Sequence, residues 1–249
     1  MTITRKKFFD AVREKPFGGS LSPSQVDGMT AILNEWDHRG LRDLRQLAYM
    51  LATTIHETAR TMQPIGEFGR GKWRKYGVKG KHGQVAYGRG YVQLTWDYNY
   101  ERADKELGLG GALTRNYELA LRPDIAAQIM FEGMIEGWFT GKKLGTYFTD
   151  TKADWKNARR IINGVDKADL IAGYAKAFHA ALLRADDGTV QAVRPPPDIP
   201  APERPPRPVD AVLDDHSEDD PVVAKPASVS QPSGWAALLQ AIIKALFGR

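Results

Sequence analysis

Apolar residues in the first 184 positions recur mostly at three- and four-residue steps, the spacing of one helix face. Leu44, Leu47, Leu51 and Ile55 form the clearest stripe, so residues 41–60 read as a helix with one buried side. Phe8, Phe9 and Val12 mark a short amphipathic helix near the start. Ser22-Pro23 is a helix start signal: a hydroxyl cap, then proline where a missing N–H costs nothing. That helix is expected to reach about Trp36 and stop before Gly40. Helical spacing resumes near Asp97. Arg122-Pro123-Asp124 opens a further helix through Ile125, Ile129 and Met130 towards Trp138. Residues 151–162 and 166–184 read as two more helices separated by Asn163-Gly164, with Asp166 as N-cap of the last.

Between Pro64 and Gly90 the periodicity breaks. Eight glycines stand there among basic and aromatic residues, which predicts a long irregular region with a small hairpin. Long loops inside compact domains are commonly functional. The fold class expected is therefore mainly α, or α+β, with a small irregular β element near residues 67–95.

Composition divides the chain. Only four of the 15 prolines precede residue 185, and the other eleven fall between Pro195 and Pro232. Residues 185–234 carry ten acidic and four basic side chains, so they read as a Pro/acid-rich flexible linker. Residues 1–184 carry a net charge of +9 and form the expected folded domain. Residues 235–249 are expected to form an apolar amphipathic helix. Trp235–Phe247, at 13 residues, is too short for a bilayer, which needs ~20. Contact with a membrane surface or a partner is its expected role. A basic domain attracts polyanions, and charge alone does not separate nucleic acid from an anionic cell envelope. The chain has no cysteine, which excludes disulfides and thiolate metal sites. The basic residues near Met1 precede no apolar run of signal-peptide length, so cytoplasmic synthesis without a Sec signal is expected.

Glu57 lies at the end of the apolar helix, beside its buried stripe. A partly desolvated carboxyl there is expected to hold its proton near neutrality, as a general acid requires. An ordinary exposed glutamate is the simpler alternative from position alone. His56-Glu57 also begins an H-E-x-x-H pattern, but Arg60 stands where the second histidine belongs, so no metal is assigned. Glu67 follows ten residues later. Two carboxylates on opposite walls of a groove are what glycoside hydrolysis needs. The segment Ala86–Tyr100 sets four tyrosines and one tryptophan among Arg89, Gln93, Thr95 and Asn99. Aromatic faces with amides and hydroxyls suit sugar rings, and equally bases of single-stranded nucleic acid or a plain buried core.

Three blocks carry a resemblance. His56-Glu57-Thr58, then Tyr87-Gly88-Arg89-Gly90 with Gln93-Leu94-Thr95-Trp96 and Tyr98-Asn99-Tyr100, then Arg160-Ile161-Ile162-Asn163-Gly164, resemble in order the signature blocks of glycoside hydrolase family 19. The resemblance spans about residues 45–185. It implies a two-lobed lysozyme-like fold with a central cleft. It implies Glu57 as general acid, Glu67 as general base, with Glu101 and Glu118 as fallbacks, and Thr95 as a holder of the attacking water. Gln93, Tyr98, Asn99 and Asn163 match sugar-binding positions, and His56, Tyr87 and Arg89 match residues shaping the cleft. The family inverts configuration, which implies carboxyl groups ~6.5–9.5 Å apart. No cofactor is implied. The sequence departs from the plant enzymes at Tyr91-Val92 and Ala59-Arg60 and in lacking cysteine, so it looks like the bacterial and phage branch.

The reading this supports is a monomeric endolysin that cuts peptidoglycan glycan strands, with no specific nucleic-acid partner, reaching the wall through holin-type release. A chitinase is the alternative, and a non-catalytic wall-binding protein is the second.

Overall fold

The computed structural model describes residues 2–188. The expected apolar C-terminal helix and all but the first four residues of the expected linker lie outside them. Eight α-helices and two small sheets make up the described part: α1 (Arg5–Glu14), α2 (Pro23–Arg39), α3 (Leu44–Glu57), β1 (Ile65–Gly66), β2 (Arg89–Gly90), α4 (Asp97–Glu106), α5 (Ala112–Arg115), α6 (Pro123–Glu136), α7 (Leu144–Tyr147), β3 (Phe148–Thr149), β4 (Lys152–Ala153) and α8 (Ala168–Ala185). Short 3-10 turns run over Tyr117–Leu121 and Asn157–Ile161. The fold is mainly helical, as the periodicity predicts.

Ser22-Pro23, Gly40 and Pro123 bound helices as expected, and further caps appear in the structure. Ser22 and Gln25 form a reciprocal capping box ahead of Pro23, and Gly40 ends α2 in the left-handed conformation (φ 62°). Asp43 caps α3 through the Arg45 N–H. Pro123 opens α6 and Gly137 closes it at φ 73°. In α3 all but three residues (Arg45, Gln46 and His56) are buried, because α8 and α2 cover it and α6 closes the remaining side. Met50, Leu51, Ile55, Met130, Phe131 and Phe178 belong to one continuous core.

Two expectations are corrected. Residues 151–162 are not an α-helix. The antiparallel pair β3–β4 turns the chain at Asp150-Thr151, and the 3-10 turn follows. Asp154 explains the break: its carboxylate accepts from the Asn157 backbone N–H at 3.1 Å and from the Asn157 amide, a local bond that competes with helix. Asp166 does not cap α8. Lys167, at φ 56°, holds that position without a side-chain cap bond, and the Asp166 carbonyl accepts from Arg159 instead.

The irregular region is closed at its base by a minimal sheet. Ile65 pairs with Gly90 and Gly66 with Arg89, antiparallel. The glycine-rich loop therefore leaves and returns at neighbouring points. Among the described residues no helix is long and apolar enough to cross a membrane.

Candidate active site

Glu57 is the last residue of α3 and is 6% exposed. Its Oε1 accepts from Arg159 Nη1 at 2.6 Å, a buried ion pair spanning 102 positions of sequence. Arg159 also donates to the Asp166 carbonyl. Its turn brings Asn163 close in sequence behind it, with the Asn163 N–H on the Arg159 carbonyl at 3.0 Å. The sequence reading named Arg160 in this block; Arg159 is the residue that faces Glu57. The doubled arginine ahead of Asn163-Gly164 is the only sequence signal for it.

The chain after Glu57 is held in an unusual path. Ala59, Arg60 and Met62 all have positive φ, at 48°, 68° and 57°. Such conformations cost on the order of 1–3 kcal/mol each and persist where surroundings enforce them. Thr58 supplies part of that enforcement: its hydroxyl donates to the Thr54 carbonyl at 2.7 Å and accepts from the Met62 N–H at 3.1 Å. The start of α2 supplies the rest. Gln25 donates to the Arg60 carbonyl, and a Cβ on Gly28 would stand 1.7 Å from the Met62 carbonyl oxygen. Arg60, the residue that breaks the zinc pattern, reaches the Pro16 carbonyl and the Tyr174 hydroxyl. His56 is half-buried, and burial, ahead of the opposing pull of Glu57, lowers its pKa.

Glu67 leaves β1 and is 8% exposed. Its backbone N–H donates to the Gly88 carbonyl at 2.7 Å. Its carboxylate accepts from Tyr76 Oη at 3.0 Å and from the Gly88 N–H at 3.2 Å. Burial raises its pKa, outweighing those two hydrogen bonds and the nearby Arg74 charge. A raised pKa suits a proton acceptor working near neutrality.

The fallback carboxylates have other duties. Glu101 is bound by His82 at 2.8 Å and Lys81 at 3.1 Å, and the His82 bond leads the causes lowering its pKa. Glu118 accepts from Tyr87 at 2.9 Å and twice from Arg89. Burial pushes its pKa up, but those bonds and the Arg89 and Arg70 charges bring it below the ordinary value.

The aromatic segment divides into support and surface. Arg89 is 3% exposed. Its N–H groups serve Glu118, the Val85 and Tyr87 carbonyls and the Tyr100 hydroxyl, and its guanidinium lies 3.4 Å over the Tyr87 ring. Arg89 and buried Tyr87 thus hold up the strand that positions Gly88, Glu67's partner. Gln93 (φ 55°) gives its amide N–H groups to the Ile65 and Gly90 carbonyls. Thr95 is buried; its hydroxyl donates to the Gln93 carbonyl at 2.8 Å, which leaves it an acceptor for water. Asn99 donates to the Thr95 carbonyl at 2.8 Å. The Asn163 side-chain oxygen accepts from the Gly164 N–H. Trp96, at φ 76°, meets Tyr76 edge-on at 5.2 Å and stacks with Tyr98 at 6.3 Å. Tyr98 is 62% exposed, so a line of rings runs from Glu67's partner Tyr76 to the surface. Sequence reasoning passed over Tyr76 as one aromatic in a glycine-rich stretch. Among the described residues no cluster of three histidine or acidic side chains is placed to hold a metal.

No protein-family model matches the chain. An endochitinase of Arabidopsis thaliana is 32% identical over 131 residues, 51% of this chain and 46% of that protein. Chitinase C from Streptomyces griseus HUT6037 overlies 74% of the chain and 92% of its own, at 20% identity and a TM-score of 0.46. A bacterial family 19 chitinase overlies 72% and 94%, at 22% identity and a TM-score of 0.48. The chain is similar in sequence to a plant endochitinase over half its own length, and spans about half the length of that relative.

Proposed function

We propose that this protein is a glycoside hydrolase that cleaves the glycan strands of bacterial peptidoglycan with inversion at the anomeric carbon. One observation carries the hydrolase reading: two buried carboxylates, Glu57 and Glu67, sit in opposite electrostatic settings. Glu57 is held by a cation; Glu67 is desolvated and touched only by neutral donors. Two buried carboxyl groups in contrasting environments are the material of an acid–base pair; the Arg159 contact by itself favours ionised Glu57, and the acid role is taken from the resemblance of the His56-Glu57-Thr58 block.

In this scheme Glu57 anchors one oxygen on Arg159 and delivers a proton from the other, Oε2. That proton passes to the glycosidic oxygen as its bond to the anomeric carbon breaks. Glu67 takes a proton from a water, and the water oxygen bonds to the anomeric carbon from the opposite face. The Thr95 hydroxyl accepts from that water and orients it. Gln93, Asn99, Asn163 and the Tyr98 ring bind sugar. His56, Tyr87 and Arg89 shape the walls of a cleft between two lobes. Release to the wall through a holin-type pore belongs to the same reading, as does a catalytic unit over residues 1–184 joined by a linker to an apolar tail.

The peptidoglycan assignment rests on the excess positive charge of residues 1–184 and on the absence of the plant enzymes' cysteines. A chitinase is the second reading, favoured by the similarity to an endochitinase. The two are separated by comparing turbidity loss of purified peptidoglycan with release of soluble chitin oligomers. Clearing of peptidoglycan without chitin oligomers supports the first; the reverse supports the second.

A further inference from the structure

The loop that begins at Glu67 has a feature that the proposed chemistry does not use. Residues 68–96 contain seven lysines and arginines and no acidic residue. Arg70, Lys72, Lys75 and Lys79 are exposed. Among the described residues none of these four has a carboxylate at ion-pair distance, whereas the neighbouring Lys81 is paired with Glu101. Trp73 stands among them, 91% exposed, with Lys72 Nζ 5.3 Å from its ring centre. An unpaired row of cations beside a bare indole is a surface without an internal purpose.

The loop is also built to a fixed shape. Successive tight turns run Arg70 N–H to Glu67, Lys72 to Gly69, Arg74 to Gly71 and Gly77 to Arg74. Gly71 and Gly77 pack so closely that a Cβ on Gly77 would stand 1.9 Å from the Gly71 carbonyl oxygen. Arg70 and Trp73 are held at φ 48° and 67°. At its far end Asp97 accepts from the Lys81 N–H at 3.2 Å and from Tyr117 at 2.5 Å. Charge from this loop reaches the candidate site: Arg74 acts on Glu67, and Arg70 on Tyr87 and Glu118.

The geometry points to residues 70–79 as a specificity surface that selects glycan strands carrying carboxylate substituents over neutral strands, with Trp73 stacking on a sugar ring and Lys72, Lys75 and Lys79 meeting the carboxylates. The inference rests on the hydrolase reading, since it takes the strand bound at Glu67 to continue onto the loop. A carbohydrate partner is favoured over nucleic acid because the cations lie on the loop that carries Glu67 itself.

Two polymers with one backbone test it: carboxymethyl chitin, which is anionic, and glycol chitin, which is neutral. Binding of the full chain is read by affinity electrophoresis, which needs no hydrolysis. The wild type is expected to bind carboxymethyl chitin at least about tenfold more tightly at low salt, with the gap closing as ionic strength rises. The triple variant Lys72→Gln/Lys75→Gln/Lys79→Gln should bring that ratio close to one with an unchanged melting temperature. The Lys72→Arg/Lys75→Arg/Lys79→Arg variant should keep it. Equal binding of both polymers by the wild type overturns the inference, as does a ratio that survives in the glutamine variant. So does an oligonucleotide that binds more tightly than carboxymethyl chitin and displaces it. Reducing ends released from either polymer are scored separately; their absence counts against the hydrolase reading and leaves the binding ratio to decide the loop.

Discussion

At the residue scale the two carboxylates have different consequences for stability. Glu57→Gln leaves Arg159 buried without its counter-charge. Removing one partner of a buried pair costs about 3–5 kcal/mol, and less where the replacement still accepts a hydrogen bond, as glutamine does. The variant should lose hydrolysis and melt at a lower temperature than the wild type. A parallel Arg159→Met variant, which strands the glutamate, should melt lower still; calorimetry checks both. Glu67 behaves in the opposite way. Its folded pKa lies above the unfolded value because of burial. Its charge therefore costs stability as pH rises through that folded pKa, and the cost is absent below the unfolded one. Glu67→Gln should be inactive, yet at pH 7 melt no lower than the wild type. Tyr76→Phe removes a hydrogen bond that stabilises the ionised Glu67. The acid limb of the kcat/KM profile should then move to higher pH; an unmoved or lower limb would show that Glu67 is not the base. None of these contacts was legible in the sequence, because Arg159 and Tyr76 gain meaning only when the chain folds them onto Glu57 and Glu67.

At the element scale the sequence was most readable where a local signal sufficed. Ser22, Pro23, Gly40 and Pro123 mark helix ends by short-range chemistry, and α2 starts and stops, and α6 starts, where those residues stand. The segment 151–162 was misread because two-residue strands carry no periodicity and the Asp154 to Asn157 bond is a local competitor to helix. The hairpin in the glycine-rich region was anticipated in kind; its pairing of Ile65 with Gly90 joins residues 25 positions apart, beyond any turn signal. Gly28 is another such case, an unremarkable helix glycine until Met62 packs on it. Gly28→Ala would force α2 away from the turn that follows Glu57. A loss of about 1–3 kcal/mol in chemical denaturation is expected, with lower kcat from a displaced Glu57. Wild-type stability in that variant would contradict the role given to this contact.

At the scale of the whole molecule, the charge boundary near residue 185 coincides with the end of α8 at Ala185 and with the bridge from Asp186 back to Ile3. Phe8 and Val12 of α1 and Phe178 and Leu182 of α8 share the buried core, so chain start and helix end are tied together. A chain cut after residue 188 should fold and keep its full rate on purified peptidoglycan; an inactive truncation would show that later residues belong to the catalytic unit. The central claim is tested most directly by mass spectrometry of the fragments released from purified sacculi by wild type and by Glu57→Gln. New reducing sugar ends with the wild type, and none above background with the variant, are the predicted result. Fragments split only at peptide or amide bonds, or new reducing ends at an undiminished rate with Glu57→Gln, would contradict it.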